Sequence, residues 1–134
     1  MRILVDTSVW SLALRRQAPK LDGVIIEFQR IILDHRVVVI GPIRQEILSG
    51  IRDESQFRKI EKNLESFPDF PIHTEDYVNA AKLYNTCRSK GIQGSNTDFL
   101  ICGIANRNNF SIYTTDKDFE RFSKHIPITL HHAN

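Results

Sequence analysis

The sequence predicts an α/β fold with a mainly parallel central sheet, arranged as a single domain over residues 1–134. Short apolar runs rich in β-branched residues alternate with amphipathic, helix-length segments along the whole chain. Such alternation is typical of parallel strands joined by helical crossovers. The length fits one domain, and the 41% of hydrophobic residues is enough to bury a core.

Proline and glycine residues set the expected ends of the helices. Pro19 should end the first helix, and Pro42 suits the first turn of the third. Gly91 should stop the longest helix, because glycine readily adopts the left-handed conformation. The predicted strands are 2–5, 37–40, 111–114 and 126–130, and a further short strand is considered at 70–73. The predicted helices are 9–14, 21–35, 42–50, 53–66, 74–90, 97–107 and 116–123.

Cysteine use and hydropathy exclude several classes of protein. Cys87 and Cys102 lack the CxxC spacing of a zinc or redox site, so we expect reduced core thiols and a cytoplasmic location. The longest apolar stretches are about seven residues, far short of the ~20 that span a bilayer. Arg2 comes too early for a signal peptide. We therefore expect no contact with a membrane.

The charge balance excludes a protein that coats nucleic acid, because the net charge is only +2, from 18 Lys and Arg against 16 Asp and Glu. If a metal site consumes several acids, the remaining surface is basic enough for transient contact with a polyanion. Each basic residue taken alone reads as part of a solvated helix face. Those available are Arg15, Arg16, Lys20, Arg44, Arg52, Arg58, Lys59, Arg88, Lys90, Arg107, Lys117, Arg121 and Lys124.

Four acidic residues lie near strand ends or helix starts, beside apolar runs: Asp6, Glu46, Asp98 and Asp116. Ligands of parallel α/β folds bind beyond the carboxyl ends of the strands, so these acids can share one edge of the sheet. Clustered carboxylates repel one another, and oxygen ligands favour Mg²⁺ or Mn²⁺ over zinc. A metal of this kind activates water and offsets phosphate charge. The pattern therefore predicts metal-dependent hydrolysis of a phosphodiester.

The acids also have structural explanations. Asp6 and Asp98 could cap the helices that follow them, although the segment 95–97 already offers capping oxygens. Asp116 and Asp118 could stabilise the N-terminus of the last helix through its dipole. We interpret Asp116 as functional and Asp118 as a supporting candidate.

Other side chains near these acids carry weaker signals. Glu46 alone reads as a surface charge, but its apolar flanks favour placement in a cleft. Ser8 and Thr114 bring hydroxyls to the predicted site, where they serve as caps or as supports. His131 and His132 are interpreted as a solvated tail, and Trp10 as core. The sequence contains no HExxH spacing, nucleophilic triad or glycine-rich phosphate loop.

The acidic segments resemble the motifs of the PIN-domain ribonucleases and, more narrowly, of the VapC toxins of toxin–antitoxin modules. The resemblance covers nearly the whole chain in family order. Its motifs are the first strand with Asp6-Thr7-Ser8, then Pro42-Ile43-Arg44-Gln45-Glu46-Ile47, Asp98-Phe99-Leu100-Ile101 and Thr114-Thr115-Asp116-Lys117-Asp118-Phe119. Cys102-Gly103 departs from the two alanines typical of the third motif.

The resemblance implies a three-layer α/β/α fold and an endoribonuclease that depends on Mg²⁺ or Mn²⁺. Asp6 and Asp98 would be the principal metal ligands, with Glu46 and Asp116 completing the catalytic site. Ser8 or Thr114 would assist, and the products would carry a 5′-phosphate and a 3′-hydroxyl. The resemblance also implies an RNA substrate, a homodimer, and a cognate antitoxin whose C-terminal segment covers the cleft.

Four rival readings remain open. A phosphatase of the haloacid dehalogenase type would start with Asp6 but usually needs a second Asp at position 8, which is Ser. A TOPRIM-type nuclease would leave Asp6 and Asp98 without a role. A PIN-domain nuclease of RNA maturation and a non-catalytic PIN-like module that binds RNA or protein are the other two.

Overall fold

The computed structural model describes residues 1–14 and 22–133, and in these ranges four strands form one parallel sheet. The strands are β1 (Ile3–Val5), β2 (Val37–Val38), β3 (Ser111–Tyr113) and β4 (Thr129–Leu130), in the order β2-β1-β3-β4. The predicted parallel sheet is confirmed. Val5 of β1 pairs with Tyr113 of β3, so the carboxyl ends of the two central strands are level.

Seven helices accompany the sheet within the described residues. They are α1 (Thr7–Ala13), α2 (Gly23–Leu33), α3 (Gly41–Ser49), α4 (Glu54–Leu64), α5 (Thr74–Ser89), α6 (Asn96–Asn108) and α7 (Asp118–Ser123). Pro42 lies in the first turn of α3 and Gly91 follows α5 with a φ of 76°, both as predicted. None of the described helices is long and apolar enough to cross a membrane.

Part of the sequence prediction lies outside the described residues. This applies to the helix stop at Pro19, to the predicted start of α2 at Leu21, and to the basic residues Arg15, Arg16 and Lys20.

Three strand predictions were wrong by more than one residue. The run 37–40 yields only Val37–Val38. The run 126–130 yields only Thr129–Leu130, because the Ile126 amide donates to Phe122 O at 3.0 Å and closes a turn after α7. Pro127 then has no amide hydrogen for a strand ladder. The short strand considered at 70–73 does not form; the chain there makes an isolated bridge between Val39 and Asp69.

The core is built around β1, which is fully buried, and around aromatic side chains. Trp10 is buried, as predicted, and its ring meets Phe28 and Phe67 edge-on at centroid distances of 4.7 and 5.2 Å. Cys87 and Cys102 are buried free thiols, also as predicted. Edge-on aromatic pairs of this kind add specific attraction to the burial of their area.

Helices α5 and α6 approach each other closely at Gly103. A Cβ atom at this position would lie 2.8 Å from the backbone nitrogen of Ala80 and 2.9 Å from its Cα. Real Cβ contacts are essentially never this short, and backbone cannot move aside as a side-chain tip can. Glycine in place of the second alanine of the third motif therefore has a steric reason in this chain.

We expect Gly103→Ala to lower the free energy of unfolding by about 1–3 kcal/mol, the usual cost of overpacking. Urea denaturation measures the change. Gly23→Ala is the matched control, because nothing lies within 4 Å of its added Cβ. A Gly103→Ala protein as stable as this control would show that α5 and α6 separate easily.

Candidate active site

Asp6 follows β1 directly and is 7% exposed. It occupies the N-cap position of α1, but its side chain makes no capping hydrogen bond. Instead the hydroxyls of Ser8 and Thr114 both donate to Asp6 Oδ2, each at 2.8 Å. The capping explanation is therefore wrong for this carboxylate, which links β1 to the loop after β3.

The same two hydroxyl oxygens accept backbone hydrogen bonds from that loop. Thr115 N donates to Ser8 Oγ at 3.1 Å, and Asp116 N donates to Thr114 Oγ1 at 3.0 Å. A hydroxyl has one proton to donate, and both protons are directed to Asp6. The arrangement fixes the loop that carries Asp116 relative to Asp6.

Asp98 lies in the first turn of α6 and takes part in a capping box. Ser95 Oγ accepts from Asp98 N at 3.0 Å, and Asp98 Oδ2 accepts from Ser95 N at 3.3 Å. The sequence interpretation expected the oxygens of residues 95–97 to make capping by Asp98 unnecessary. This expectation was wrong, since the capping box uses both Ser95 and Asp98. Burial raises the pKa of Asp98, with smaller contributions from Asp116 and Asp6.

Glu46 lies on α3 and is exposed, yet it is electrostatically part of the same cluster. Partial desolvation raises its pKa, and the negative charges of Asp6 and Asp98 raise it further. The Thr7 hydroxyl lowers it. The oxygen of that hydroxyl is buried and forms no hydrogen bond of normal geometry with the described residues.

Asp116 and Asp118 differ in their surroundings. Asp116 Oδ1 accepts from Asp118 N at 2.9 Å, while the side chain of Asp118 pairs with Arg121 on the next turn of α7. Asp116 contributes to the raised pKa of Asp98, whereas Asp118 is not among its causes. The structure thus brings Asp6, Glu46, Asp98 and Asp116 together. Asp118 lies outside this group and forms an ion pair with Arg121.

Comparisons with known proteins show the family of the chain. The sequence profile described as "PIN domain" matches residues 3–125. The chain belongs to the PIN-domain family. It is 30% identical over 122 residues to ribonuclease VapC11 of Mycobacterium tuberculosis, which covers 88% of this chain and 89% of that protein.

Solved structures of similar fold include FitAcB from Neisseria gonorrhoeae and VapBC2 from Rickettsia felis bound to a promoter DNA fragment. For FitAcB the TM-score is 0.79 at 19% identity, with 98% of this chain and 97% of that chain covered. For VapBC2 the TM-score is 0.76 at 17% identity, with 98% of both chains covered. The predicted PIN-like α/β/α fold is confirmed.

The acidic site of this PIN domain suits a hard cation in its chemistry. Its donors are carboxylate and hydroxyl oxygens, and the clustered acids raise the pKa values of Glu46 and Asp98. Among residues 1–14 and 22–133, no three His, Cys, Asp or Glu side chains are placed to hold one ion together. Mg²⁺ commonly takes only one or two protein carboxylates and keeps several waters, so the donor set fits it.

Several charged residues have roles that the sequence did not reveal. Glu27 of α2 is 6% exposed and lies 2.6 Å from His131 Nε2 and 3.1 Å from Arg30. His131 is therefore not part of a solvated tail. Its interaction with Glu27 joins residues 104 positions apart, so no local pattern could have shown it.

Two arginines from the expected basic surface are also committed elsewhere. Arg44 Nε donates to Asp69 at 2.9 Å, and its Nη1 donates to Leu64 O at 3.0 Å. Arg107 pairs at 2.5 Å with Asp76, which is fully buried. These side chains hold the fold together and are not available to an anionic ligand.

Asp98→Asn should raise the melting temperature of the metal-free PIN domain by a few degrees at neutral pH. The amide oxygen of the substituted side chain can still accept from Ser95 N. The substitution also removes a carboxyl group whose pKa is raised in the folded state, so the folded protein no longer has to hold an unfavourable negative charge. The gain should vanish below the ordinary aspartate pKa of about 3.9, and it should grow as pH rises through the higher folded-state value. Differential scanning calorimetry over a pH series measures it.

The effect of Mg²⁺ on the melting temperatures of the wild type and of Asp98→Asn provides a second test. Since a ligand of the folded state raises its stability, Mg²⁺ should stabilise the wild type more than Asp98→Asn. A melting temperature that falls on substitution at neutral pH would show that Asp98 acts mainly as a cap.

Proposed function

We propose that this chain is the toxin of a type II toxin–antitoxin module, an endoribonuclease that hydrolyses RNA phosphodiester bonds with Mg²⁺ or Mn²⁺. The observation that carries the proposal is the convergence of four acids from distant segments. Burial is the largest cause of the raised pKa values of Glu46 and Asp98. In addition, Asp6 and Asp98 raise the pKa of Glu46, and Asp116 and Asp6 raise that of Asp98. The proposal assigns one PIN-like nuclease domain to residues 1–134.

Asp6 and Asp98 are proposed to hold the cation, which when bound activates water and offsets phosphate charge. The hydroxyls of Ser8 and Thr114 hold Asp6 in one orientation through its Oδ2 atom. Such fixed orientation matters, because hydrogen-bond partners of a metal ligand set its direction and basicity. Asp116 completes the negative surface at the edge of β3.

Glu46 is proposed to accept the proton of the attacking water. A carboxylate with a raised pKa is a better base at neutral pH than an ordinary one, and general bases work best near the operating pH. Partial desolvation and the neighbouring acids supply that shift at Glu46. The products would carry a 5′-phosphate and a 3′-hydroxyl.

The proposed partner is a cognate antitoxin, and a groove beside Glu46 supports it. This groove has a volume of about 210 Å³ and lies between α1, α3 and α4, with Leu14, Ile47, Ile51 and Ile60 in its lining. An apolar segment could occupy it and present a basic side chain to the acids. A homodimer and a cytoplasmic location complete the proposal, and the free thiols of Cys87 and Cys102 suit a reducing compartment.

The second candidate is a PIN-domain nuclease of RNA maturation, which would use the same acids. The 30% identity to a VapC ribonuclease over most of both chains favours the toxin. The acids at all four positions disfavour a non-catalytic module, because a binding role alone would not maintain a cluster of repelling carboxylates.

Asp6→Asn should lower Mn²⁺-dependent RNA cleavage by at least roughly 100-fold, as loss of one preorganised electrostatic group typically does. The rate is measured on total RNA, and circular dichroism checks that the fold is retained. Asp34→Asn is the matched control, since Asp34 is exposed after α2, and it should cleave like the wild type.

Expression in a bacterial host provides a second readout. The wild type and the control should arrest growth, and Asp6→Asn should not. Wild-type protein that leaves RNA uncut with Mn²⁺, together with growth arrest that survives Asp6→Asn, would rule out the proposed function.

A further inference from the structure

A small cavity lies beside the acidic site, between the loop after β3 and the segment after β4. Its volume is about 70 Å³. Thr114, Asp116 and Lys117 line it from the loop, Glu120 from α7, and His131 and His132 from the segment after β4. A cavity of this volume holds several water molecules and therefore admits a small anion such as a phosphate group.

The register of the sheet places His132 next to the acidic site. Ile112 pairs with Leu130, so Thr114 and His132 are level two residues further on. The ladder continues past β4, because His131 N donates to Ile112 O at 2.8 Å. Neighbouring strands lie about 4.8 Å apart. His132 is thus one strand away from Thr114, whose hydroxyl binds Asp6.

The two histidines after β4 have different surroundings. The His131 ring turns to α2, where it meets Glu27 at 2.6 Å and the Tyr113 ring edge-on at a centroid distance of 5.3 Å. Both histidines contribute to the lining of the cavity, but the His131 imidazole is bound to Glu27, so the His132 imidazole is the one that we consider as an anion ligand. His132 and Lys117 are exposed, and neither forms an ion pair within residues 1–14 and 22–133.

We propose that this cavity binds the RNA phosphate next to the one that is cleaved, through the Lys117 ammonium and the His132 imidazole. The inference rests on the proposed function, because it takes RNA as the substrate of the acidic site. Lysine is a common point-charge ligand of phosphate, and an imidazole N–H is a suitable second donor. A phosphate held here positions the neighbouring linkage at the acids.

Acidic neighbours limit how tightly the cavity binds an anion. Asp116 belongs to the acidic site, where a cation would offset its charge. Glu120 has no such partner among the described ion pairs and repels a phosphate in the cavity. Glu120→Gln should therefore tighten RNA binding, the opposite direction to loss of Lys117.

Binding of a fluorescent single-stranded RNA to the full chain tests the site. Anisotropy is recorded with Ca²⁺ in place of Mn²⁺ over a series of KCl concentrations, because Ca²⁺ offsets the charge of the acids while its coordination geometry differs from that of the catalytic cation and limits cleavage. Lys117→Ala should weaken binding about fivefold at roughly 0.1 M salt and reduce the salt slope by about 0.7, the value for one phosphate contact on a single strand. His132→Ala should also weaken binding, and Glu120→Gln should strengthen it.

Lys124→Ala and His125→Ala are matched controls, because both side chains are exposed beyond the end of α7 and do not line the cavity. They should bind RNA like the wild type. Equal losses for Lys117→Ala and Lys124→Ala would overturn the proposal, since net charge alone would then explain the effect. An unchanged salt slope for Lys117→Ala, or wild-type protein without affinity for RNA, would overturn it too.

The proposed function is tested separately, by measuring RNA cleavage by the wild type after Mn²⁺ is added. Site-specific losses of binding together with no cleavage would support the phosphate site and overturn the proposed function. Cleavage together with unchanged binding by all variants would overturn only the phosphate site.

Discussion

The level pairing of β1 with β3 is the constraint on which the site depends. Because Val5 and Tyr113 are paired, the next residues, Asp6 and Thr114, leave the sheet side by side. One carboxylate oxygen of Asp6 then accepts two hydroxyls, and each hydroxyl oxygen accepts an amide of the loop after β3. A shift of one residue in this register would turn Thr114 to the other face of the sheet. Its hydroxyl would then no longer reach Asp6.

Burial first, and mutual repulsion second, oppose the charged forms of the acids in the folded protein. The raised pKa values of Glu46 and Asp98 show that the folded protein disfavours their charged forms. Three arginines of the described residues, Arg44, Arg107 and Arg121, are bound to other acids. The acidic site lowers the stability of the folded protein, and the buried strands and the aromatic core offset this loss, as is common for functional sites.

Much of the fold was predictable because its signals are local. Apolar runs marked the strands, Pro42 and Gly91 marked a helix start and a helix stop, and Asp6 and Asp116 stood directly after strand segments. The capping box of Asp98 also has a local signal, the spacing of Ser95 and Asp98 before an apolar run, although the sequence interpretation did not use it. The close approach at Gly103 was not predictable, because it depends on how α5 packs against α6.

Long-range contacts escaped the sequence patterns for a different reason. The pair of Glu27 and His131 joins α2 to the segment after β4, and the pair of Asp76 and Arg107 joins α5 to α6. Local patterns report the periodicity of one element and carry no information about which elements meet. The same limit hid the position of His132 beside Thr114, which follows only from the register of β3 and β4.

The central claim is that Asp6 and Asp98 hold a divalent cation at the carboxyl edge of the sheet. A crystal grown with Mn²⁺ and measured for anomalous scattering tests it most directly. We expect a difference peak between the two carboxylates, bound by at least one of them directly and by water for the rest. Strong Mn²⁺ peaks elsewhere on the molecule, with none at these acids, would contradict the claim.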